Sequence, residues 1–177
     1  MAGIFLDRDG VIIRKAPEGE YITQSSEVEF LPDSLEAIAC LHRFGFKVII
    51  VTNQRGVATG KIPIANLEEI HRNIRLAIAD SGGFVSGIYC CTHDISESCF
   101  CRKPKPGMLL RAAKEFSLNL IDCWMVGDTT VDIEAGKRAG CKTALITPAV
   151  ELTSVTEKPD VLAQSLMQLA QKLQVSS

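Results

Sequence analysis

The chain has 177 residues, of which 46% are hydrophobic and 23% are charged, and its formal net charge is −2. That length suits one domain with a substantial core, and we expect residues 1–177 to form a single unit. A charge so close to zero excludes a bulk electrostatic attraction to nucleic acid or to anionic membranes. The longest apolar runs, such as residues 47–51, are too short to span a bilayer, and Asp7 and Asp9 interrupt the stretch where a signal peptide would be apolar. We therefore expect a cytoplasmic monomer with no membrane or nucleic-acid partner.

Apolar segments of strand length alternate with amphipathic segments of helix length along the chain. In chain order, the pattern predicts a strand at 4–6, an irregular segment at 10–30, a helix at 32–44, a strand at 47–51, a helix at 63–79, a strand at 87–91, a helix at 106–116, a strand at 123–126, a helix at 131–139, a strand at 142–146, an edge strand at 160–162 and a helix at 162–173. Such alternation predicts right-handed crossovers, a parallel sheet and an α/β fold.

Reactive side chains follow the predicted strands directly. These residues are Asp7 and Asp9 after the first strand, Thr52 and Asn53 after the second, Asp128 and Asp132 after the strand that ends at residue 126, and Lys103 in the segment that follows the third strand. Ligand sites in parallel sheets lie at the carboxyl ends of the strands. We therefore expect these side chains to form one site.

The chemistry available to this set is phosphoryl transfer. A carboxylate such as Asp7 can attack phosphorus and form an acyl phosphate. A divalent cation would screen the repulsion between the two anions, and oxygen ligands from Asp7, Asp128 and the Asp9 carbonyl suit Mg²⁺. Lys103 and Thr52 can hold the phosphoryl oxygens, while the Asp9 side chain can protonate the leaving oxygen and then activate water. Each residue alone more often belongs to a turn, a helix cap or a solvated surface, so the argument depends on the combination.

The same residues carry a resemblance to the haloacid dehalogenase superfamily of phosphotransferases, which extends over about residues 2–147. Phe5-Leu-Asp-Arg-Asp-Gly-Val11 is similar to the first motif of that family. Thr52 resembles its second motif, Lys103 its third, and Gly127-Asp128 with Asp132 its fourth.

The resemblance implies a Rossmann-like, doubly wound parallel sheet. It implies that Asp7 is the nucleophile, that Asp9 is the general acid and base, and that Mg²⁺ is held by Asp7, the Asp9 carbonyl and Asp128. It also implies that Asp132 acts from behind these ligands or through water. The family usually carries a cap domain, but residues 10–31 and 83–101 are too short to fold as one, so we expect an open site.

A second cluster lies between the third strand and Lys103. Cys91, His93, Cys99 and Cys101 offer three thiols and one imidazole within eleven residues, a set that can close a tetrahedral zinc site. Because all four positions would be filled by protein, we expect this zinc to be structural and to fix the loop at 91–101. The alternative is a surface loop with free thiols, which would be prone to oxidation at this density. Asp94 and Glu97 in this loop are expected to be solvated.

The zinc loop, with Cys101-Arg-Lys-Pro-Lys-Pro-Gly-Met108, resembles the subgroup that contains the heptose bisphosphate phosphatases and the related histidinol-phosphate phosphatases. The Pro-Gly-Met continuation favours the heptose enzymes, which make a precursor of the lipopolysaccharide core. This resemblance implies that Asn53, Arg102 and Lys103 bind a small phosphorylated metabolite, a sugar bisphosphate. Thr129 and Arg55 depart from the subgroup pattern, and both flank the expected site.

Two other classes of function compete with this interpretation. A zinc-stabilised binding module on an inactive phosphatase fold would have lost Asp7, Asp9, Lys103 or Asp128, and the chain retains all four. A nucleic-acid 3′-end phosphatase would need a basic groove and stacking aromatic residues. The net charge of −2 and the presence of only seven Phe, two Tyr and one Trp argue against it.

Overall fold

A computed structural model describes residues 2–147 and 158–174. Its strands are β1 (Gly3–Leu6), β2 (Lys47–Asn53), β3 (Gly87–Cys91), β4 (Trp124–Gly127), β5 (Lys142–Ile146) and β6 (Val161–Ala163), and its α-helices are α1 (Ser34–Arg43), α2 (Ile64–Asp80), α3 (Gly107–Glu115), α4 (Thr130–Ala139) and α5 (Leu166–Gln174). The six strands form one sheet in the order β3-β2-β1-β4-β5-β6, and every neighbouring pair is parallel.

The centre of the sheet is β1, which pairs with β2 on one side and with β4 on the other. All four of its residues are buried, as expected of a strand that is covered on both faces. Side chains alternate across the sheet, so Ile4 and Leu6 join one core cluster while Phe5 joins the other. The residue after β1, Asp7, therefore emerges at the middle of the carboxyl edge, where its amide donates to the Val126 carbonyl at 2.9 Å.

Helices cover both faces of the sheet. Ile38 of α1, Ile70 of α2 and Leu169 of α5 pack in the cluster that contains Ile4 and Leu6. Leu109 of α3 and Ala139 of α4 pack in the cluster that contains Phe5. This arrangement confirms the predicted doubly wound α/β fold.

The predicted elements all exist, but several boundaries differ. Helix α1 begins at Ser34 and not at Pro32, because Asp33 adopts a left-handed conformation with φ of 57° and breaks the helical path. Strand β2 continues to Asn53, because Thr52 and Asn53 still pair with Cys90 and Cys91 of β3. The last helix, α5, begins only at Leu166, since the preceding residues complete the edge strand β6.

The segment between β1 and α1 and the segment between β3 and α3 each hold one short 3-10 helix, at Ser25–Glu27 and Ile95–Glu97. Neither segment folds as a cap, which agrees with the expectation of an open site. Within residues 2–147 and 158–174, no helix has both the length and the apolar character needed to cross a membrane.

The contact of α4 with the sheet leads to a prediction at Gly136. A Cβ at this position would lie 2.7 Å from Met125 Cβ and 2.7 Å from Thr143 Cγ2, so the helix could not keep its distance from β4 and β5. Alanine is intrinsically better than glycine in a helix by about 1 kcal/mol, but overpacking costs about 1–3 kcal/mol. We expect Gly136→Ala to lower the free energy of unfolding by about 1 kcal/mol or more in urea denaturation.

The control is Glu68→Ala at an exposed position of α2, which should change stability by less than about 0.5 kcal/mol. A Gly136→Ala protein that is more stable than the parent would contradict the close packing of α4.

Candidate active site at the carboxyl ends of the strands

A cavity of about 570 Å³ opens at the carboxyl edge of the sheet. The residues predicted to act on substrate or to hold Mg²⁺ all line it, namely Asp7, Asp9, Thr52, Asn53, Arg102, Lys103 and Asp128. They come from the ends of β1, β2 and β4 and from the loop before α3. The fold therefore brings these side chains together around one cavity.

Lys103 lies between two acids at the bottom of this cavity. Its Nζ atom is 2.9 Å from Asp7 Oδ1 and 2.6 Å from Asp132 Oδ1, and it donates to the Val51 carbonyl at 3.0 Å. Burial alone would lower the pKa of the Lys103 ammonium, but Asp7 and Asp132 outweigh burial and hold that pKa above its usual range. Lys103 is therefore charged, and its three donors are engaged by protein acceptors.

Asp7 has one oxygen held by the protein and one oxygen without a protein partner. Its Oδ1 accepts from the Arg8 amide at 2.8 Å and from Lys103, whereas no side chain or amide of the described residues donates to Oδ2. Burial raises the pKa of Asp7 to about 7, and the Lys103 ammonium opposes that rise. A second cation close to Asp7 would favour the ionised form further, because opposite charge lowers a carboxyl pKa.

The three acids of the site could hold a metal ion, but they differ in how many of their oxygens already accept hydrogen bonds from the protein. Oxygen atoms of Asp7, Asp128 and Asp132 all lie within 4.8 Å of one another. Asp132 uses both oxygens on protein donors, because Oδ1 contacts Lys103 and Oδ2 accepts from Thr129 Oγ1 at 2.6 Å. Asp128 Oδ1 is buried and has no hydrogen-bond partner among the described residues. The unpaired oxygen therefore marks Asp128 as the better candidate for direct coordination.

Asp128 also contacts a residue that the sequence did not single out. Lys15, in the segment after β1, forms an ion pair with Asp128 Oδ2. Burial raises the pKa of Asp128, and the Lys15 ammonium opposes that rise. Lys15 and Asp128 both line the cavity, so the carboxylate of Asp128 already attracts one positive charge there.

Asn53 and Arg102 have different environments, although both were predicted to bind substrate. The Asn53 side chain donates to the Lys103 carbonyl and accepts from the Lys103 amide, both at 3.1 Å, so it fixes the main chain of Lys103. Arg102 Nη1 is buried and has no hydrogen-bond partner within the described part of the chain. Arg102 is one of the residues that line the cavity, so its guanidinium is a candidate contact for an anion.

The four predicted zinc ligands come together. The distances are 3.6 Å from Cys91 Sγ to His93 Nδ1, 3.6 Å from Cys91 Sγ to Cys99 Sγ, 3.2 Å from Cys101 Sγ to His93 Nδ1 and 3.5 Å from Cys101 Sγ to Cys99 Sγ. Such separations match the edges of a tetrahedron whose centre is about 2.0–2.3 Å from each ligand atom, as in Cys₃His zinc sites. The donor set and its spacing both fit zinc.

Asp94, which was expected to be solvated, keeps 30% of its side chain exposed and also contacts the protein. Asp94 forms an ion pair with Arg55, which joins the loop after β2 to the zinc loop, and the Asp94 side chain also accepts from the Ile95 amide at 2.7 Å. Glu97 is exposed, but it accepts from the Asp94 amide at 2.6 Å and so helps to cap the short helix. The departure at Arg55 therefore has a structural reason, since the guanidinium anchors the zinc loop.

Thr129, the other departure, has a structural role as well. It is the N-cap of α4, and its hydroxyl and amide both contact Asp132 Oδ2 in a capping box. The sequence signal was present, because a Thr followed three residues later by an acid marks a helix start.

Gln54 and His71 were not assigned to the site from the sequence. The Gln54 amide donates to Asp9 Oδ2 at 2.7 Å and to Thr52 Oγ1 at 2.8 Å, and His71 of α2 contacts the guanidinium of Arg8 at 3.3 Å. The signal for Gln54 was its place directly after β2. His71 carried no such signal, and in the structure it is half-buried.

The comparisons with known proteins agree with this geometry. A family model described as haloacid dehalogenase-like hydrolase matches residues 1–140. The D-glycero-beta-D-manno-heptose-1,7-bisphosphate 7-phosphatase of Pseudomonas putida is 41% identical over 143 residues, which are 81% of this chain and 81% of that enzyme. The enzyme with the same name from Helicobacter pylori is 35% identical over 144 residues, which are 81% of this chain and 82% of that enzyme.

Among solved structures, a crystal structure of D,D-heptose 1.7-bisphosphate phosphatase from B. bronchiseptica, complexed with magnesium and phosphate, aligns over 100% of both chains with a TM-score of 0.92 and 32% sequence identity. The family match spans most of the sequence, and the resemblance inferred from the motifs at Asp7, Thr52, Lys103 and Asp128 is confirmed. This chain belongs to the haloacid dehalogenase-like hydrolases.

Proposed function

We propose that this protein is a Mg²⁺-dependent phosphomonoesterase that acts through an aspartyl-phosphate on Asp7, and that its substrate is D-glycero-D-manno-heptose 1,7-bisphosphate, cleaved at position 7. The observation that supports it best is Asp7 itself. Its Oδ1 is held by the charged Lys103, its Oδ2 has no donor among the described residues, and a carboxylate oxygen of Asp128 lies within 4.8 Å of one of its own.

The reaction follows from the positions of these side chains. Asp7 Oδ2 attacks the phosphorus, the Oδ2–P bond forms, and the bond from phosphorus to the leaving oxygen breaks. The Asp9 carboxyl donates its proton to that oxygen, so the product leaves as an alcohol. Asp9 then accepts a proton from water, which attacks the phosphorus, releases inorganic phosphate and restores the Asp7 carboxylate. Thr52 would donate to a phosphoryl oxygen, and the ammonium of Lys103, which contacts Asp7 Oδ1, would stabilise the negative charge of the phosphoryl oxygens during both steps.

The cation fits the site through oxygen ligands. Asp7, Asp128 and the carbonyl of Asp9 would hold Mg²⁺, and Asp132 would act behind them by fixing Lys103 and Thr129. A bound Mg²⁺ neutralises phosphate charge and so permits an anionic carboxylate to approach an anionic phosphate. The similar enzyme from B. bronchiseptica has magnesium and phosphate in its crystal structure, which supports this choice of metal.

Basic side chains that line the cavity favour a substrate with a second anionic group. Arg102 Nη1 is buried and has no partner among residues 2–147 and 158–174, and Arg102, Lys105 and Arg138 all line the cavity. An unpaired buried guanidinium is costly unless an anion binds it, and its planar fork matches phosphate. We therefore propose that Arg102 binds the second phosphate of a sugar bisphosphate. We also propose that Asn53, which holds the main chain of Lys103, contacts the substrate.

The alternative substrate, histidinol phosphate, carries one phosphate and an ammonium group. Arg102, Lys105 and Arg138 line the same cavity as Asp7 and disfavour that ammonium, and the relatives at 41% and 35% identity are heptose enzymes. The non-enzymatic alternative, a zinc-stabilised binding module, has no comparable support because the charged residues around Asp7 are intact.

We also propose that Cys91, His93, Cys99 and Cys101 hold a structural zinc ion. The loop has little apolar content to bury, so coordination would replace packing in fixing its shape. Cys101 precedes Arg102 directly, and a fixed loop would therefore fix the guanidinium over the cavity. In a closed Cys₃His site, the protein fills all four coordination positions and leaves none for substrate. We therefore propose that this metal has no catalytic role.

The proposal also covers the domain organisation, the oligomeric state, the location and the partners of the protein. Residues 1–177 would act as a single phosphatase domain, working as a monomer in the cytoplasm on a small phosphorylated metabolite. Strands from both described ranges contribute to one sheet, which supports a single domain. A cluster of reduced thiols suits a reducing compartment. The acidic balance of the chain, at net −2, supports the absence of nucleic-acid and membrane partners.

The first prediction concerns activity. In the presence of Mg²⁺, we expect kcat/KM for D-glycero-D-manno-heptose 1,7-bisphosphate to exceed that for histidinol phosphate by ~100-fold or more, which corresponds to roughly 2.7 kcal/mol. The measurement is steady-state phosphate release with both anomers of the bisphosphate. The control is Asp7→Asn, which removes the nucleophile and should lower kcat by more than about 1,000-fold. A preference for histidinol phosphate would reject the substrate, and activity that survives in Asp7→Asn would reject the mechanism.

A second prediction concerns Mg²⁺ binding without turnover. Asp128→Asn should raise the Kd for Mg²⁺ in isothermal titration calorimetry by at least about 10-fold, because the loss of even an outer partner of a metal ligand costs that much. Asp122→Asn, which removes an exposed carboxylate of the same length, serves as the matched control and should leave the Kd unchanged. Equal Kd values in the two variants would exclude Asp128 as a ligand.

A third prediction concerns zinc. Elemental analysis of the purified protein should give about one zinc ion per chain, and His93→Ala should lose most of it because a Cys₃ set leaves the tetrahedron incomplete. Cys90→Ala is the control, since Cys90 neighbours Cys91 on β3 but is not one of the four clustered ligands. Zinc content that does not respond to His93→Ala would disprove the assignment.

A further inference from the structure

The carboxylate of Asp9 is held by two side chains that do not line the catalytic cavity. Arg8 donates from Nε to Oδ2 at 3.2 Å and from Nη2 to Oδ1 at 3.0 Å, and Gln54 donates from Nε2 to Oδ2 at 2.7 Å. A carboxylate offers about two acceptor positions on each oxygen. Oδ2 is therefore saturated, whereas Oδ1 accepts a single bond from the described residues and keeps one position free.

Arg8 is itself held from the opposite side. It is only 1% exposed, and its Nη1 atom contacts His71 Nε2 at 3.3 Å. Burial and the neighbouring Arg8 guanidinium lower the pKa of His71 to about 4, so the imidazole is neutral near pH 7 and its Nε2 can accept from Arg8. A charged guanidinium in such a place is costly unless each of its groups is paired, and Asp9 is the acid that pairs it.

Gln54 links this cluster to the phosphate side of the cavity. Its Nε2 atom donates to Thr52 Oγ1 at 2.8 Å as well as to Asp9. One amide group thus fixes the distance between the proposed proton-transfer group and the proposed phosphate-binding hydroxyl. Gln54 is 3% exposed, so water does not compete well for these bonds.

We propose that Arg8, Gln54 and His71 form an Asp9 clamp, and that the clamp makes Oδ1 the atom through which Asp9 gives and takes its proton. Arg8 and Gln54 act on the carboxylate directly, and His71 is a positioning residue that acts through Arg8. This inference rests on the proposed phosphatase function and adds to it the residues that orient the acid and base. It predicts that a defect in the clamp impairs proton transfer more than phosphate binding.

The test compares kcat/KM for two substrates whose leaving groups differ in how much they need a proton. The value of kcat/KM reports the steps up to departure of the leaving group, and an alkoxide needs a proton at that step far more than p-nitrophenolate does. The variants are His71→Leu, which removes the acceptor for Arg8, and Gln54→Met, which removes the donor to Asp9 Oδ2 and to Thr52 Oγ1 with little change in volume. We expect each to lower kcat/KM for heptose 1,7-bisphosphate by about 10-fold, a part of the ~100-fold or more that a general acid supplies, and for p-nitrophenyl phosphate by less than about 3-fold.

Two further variants serve as controls. His42→Leu makes the same substitution at an exposed histidine of α1 and should leave both kcat/KM values unchanged. His71→Gln restores an acceptor near the position of Nε2 and should recover most of the lost activity on the bisphosphate. Thermal unfolding of each variant is measured in parallel, and if His71→Leu does not fold, Gln54→Met provides the same comparison of substrates.

Equal proportional losses on the two substrates, or no loss in either clamp variant, would overturn the Asp9 clamp while leaving the proposed function in place. Failure of the parent protein to hydrolyse either phosphate would overturn the proposed function, and the clamp with it. A selective loss on the alkyl phosphate that His71→Gln recovers would support the clamp.

Discussion

The ammonium group of Lys103 lies buried between the carboxylates of Asp7 and Asp132, and the rest of the site is arranged around these contacts of 2.9 and 2.6 Å. Burial of any one of these charges alone would cost several kcal/mol, so each depends on the other two. The contacts join the end of β1, the start of α4 and the loop before α3. The fold and the site are therefore coupled, because the charges that would hold phosphate also tie three distant segments together.

The position of Lys103 is fixed from two sides. Asn53, the last residue of β2, binds both main-chain polar atoms of Lys103, and the zinc loop leads into it through Cys101 and Arg102. Arg55 holds the same loop by its ion pair with Asp94. Neither long loop folds as a cap, so these contacts order the basic side chains that line the cavity. The contacts of Arg8 and Gln54 hold the Asp9 carboxylate in a comparable way.

Much of the site could be predicted because its residues come directly after buried strands. Asp7, Thr52 and Asp128 follow apolar runs, and the carboxyl ends of parallel strands converge on one edge. The cluster of Cys91, His93, Cys99 and Cys101 was predictable because all four residues lie within one short segment. Lys15, Gln54 and His71 were harder to foresee, because each acts through a partner that is far away in sequence: Asp128, Asp9 and Arg8 respectively. Local pattern carries no information about such contacts.

The sequence by itself determined the α/β class and the order of the elements, because periodicity and spacing are local properties. Residue chemistry is local too, and it singled out the four Cys and His residues that cluster and the acids and cations that line the cavity. Only the tertiary structure decided how those groups share their hydrogen bonds. It assigned both oxygens of Asp132 to protein donors and left one oxygen of Asp128 and one nitrogen of Arg102 unpaired among the described residues. It also ended β2 at Asn53 and began α1 at Ser34, because strand pairing and the left-handed Asp33 outweigh local preference. Such outcomes depend on which atoms meet across the fold, and that is settled by packing and by charge pairing between segments that are distant along the chain.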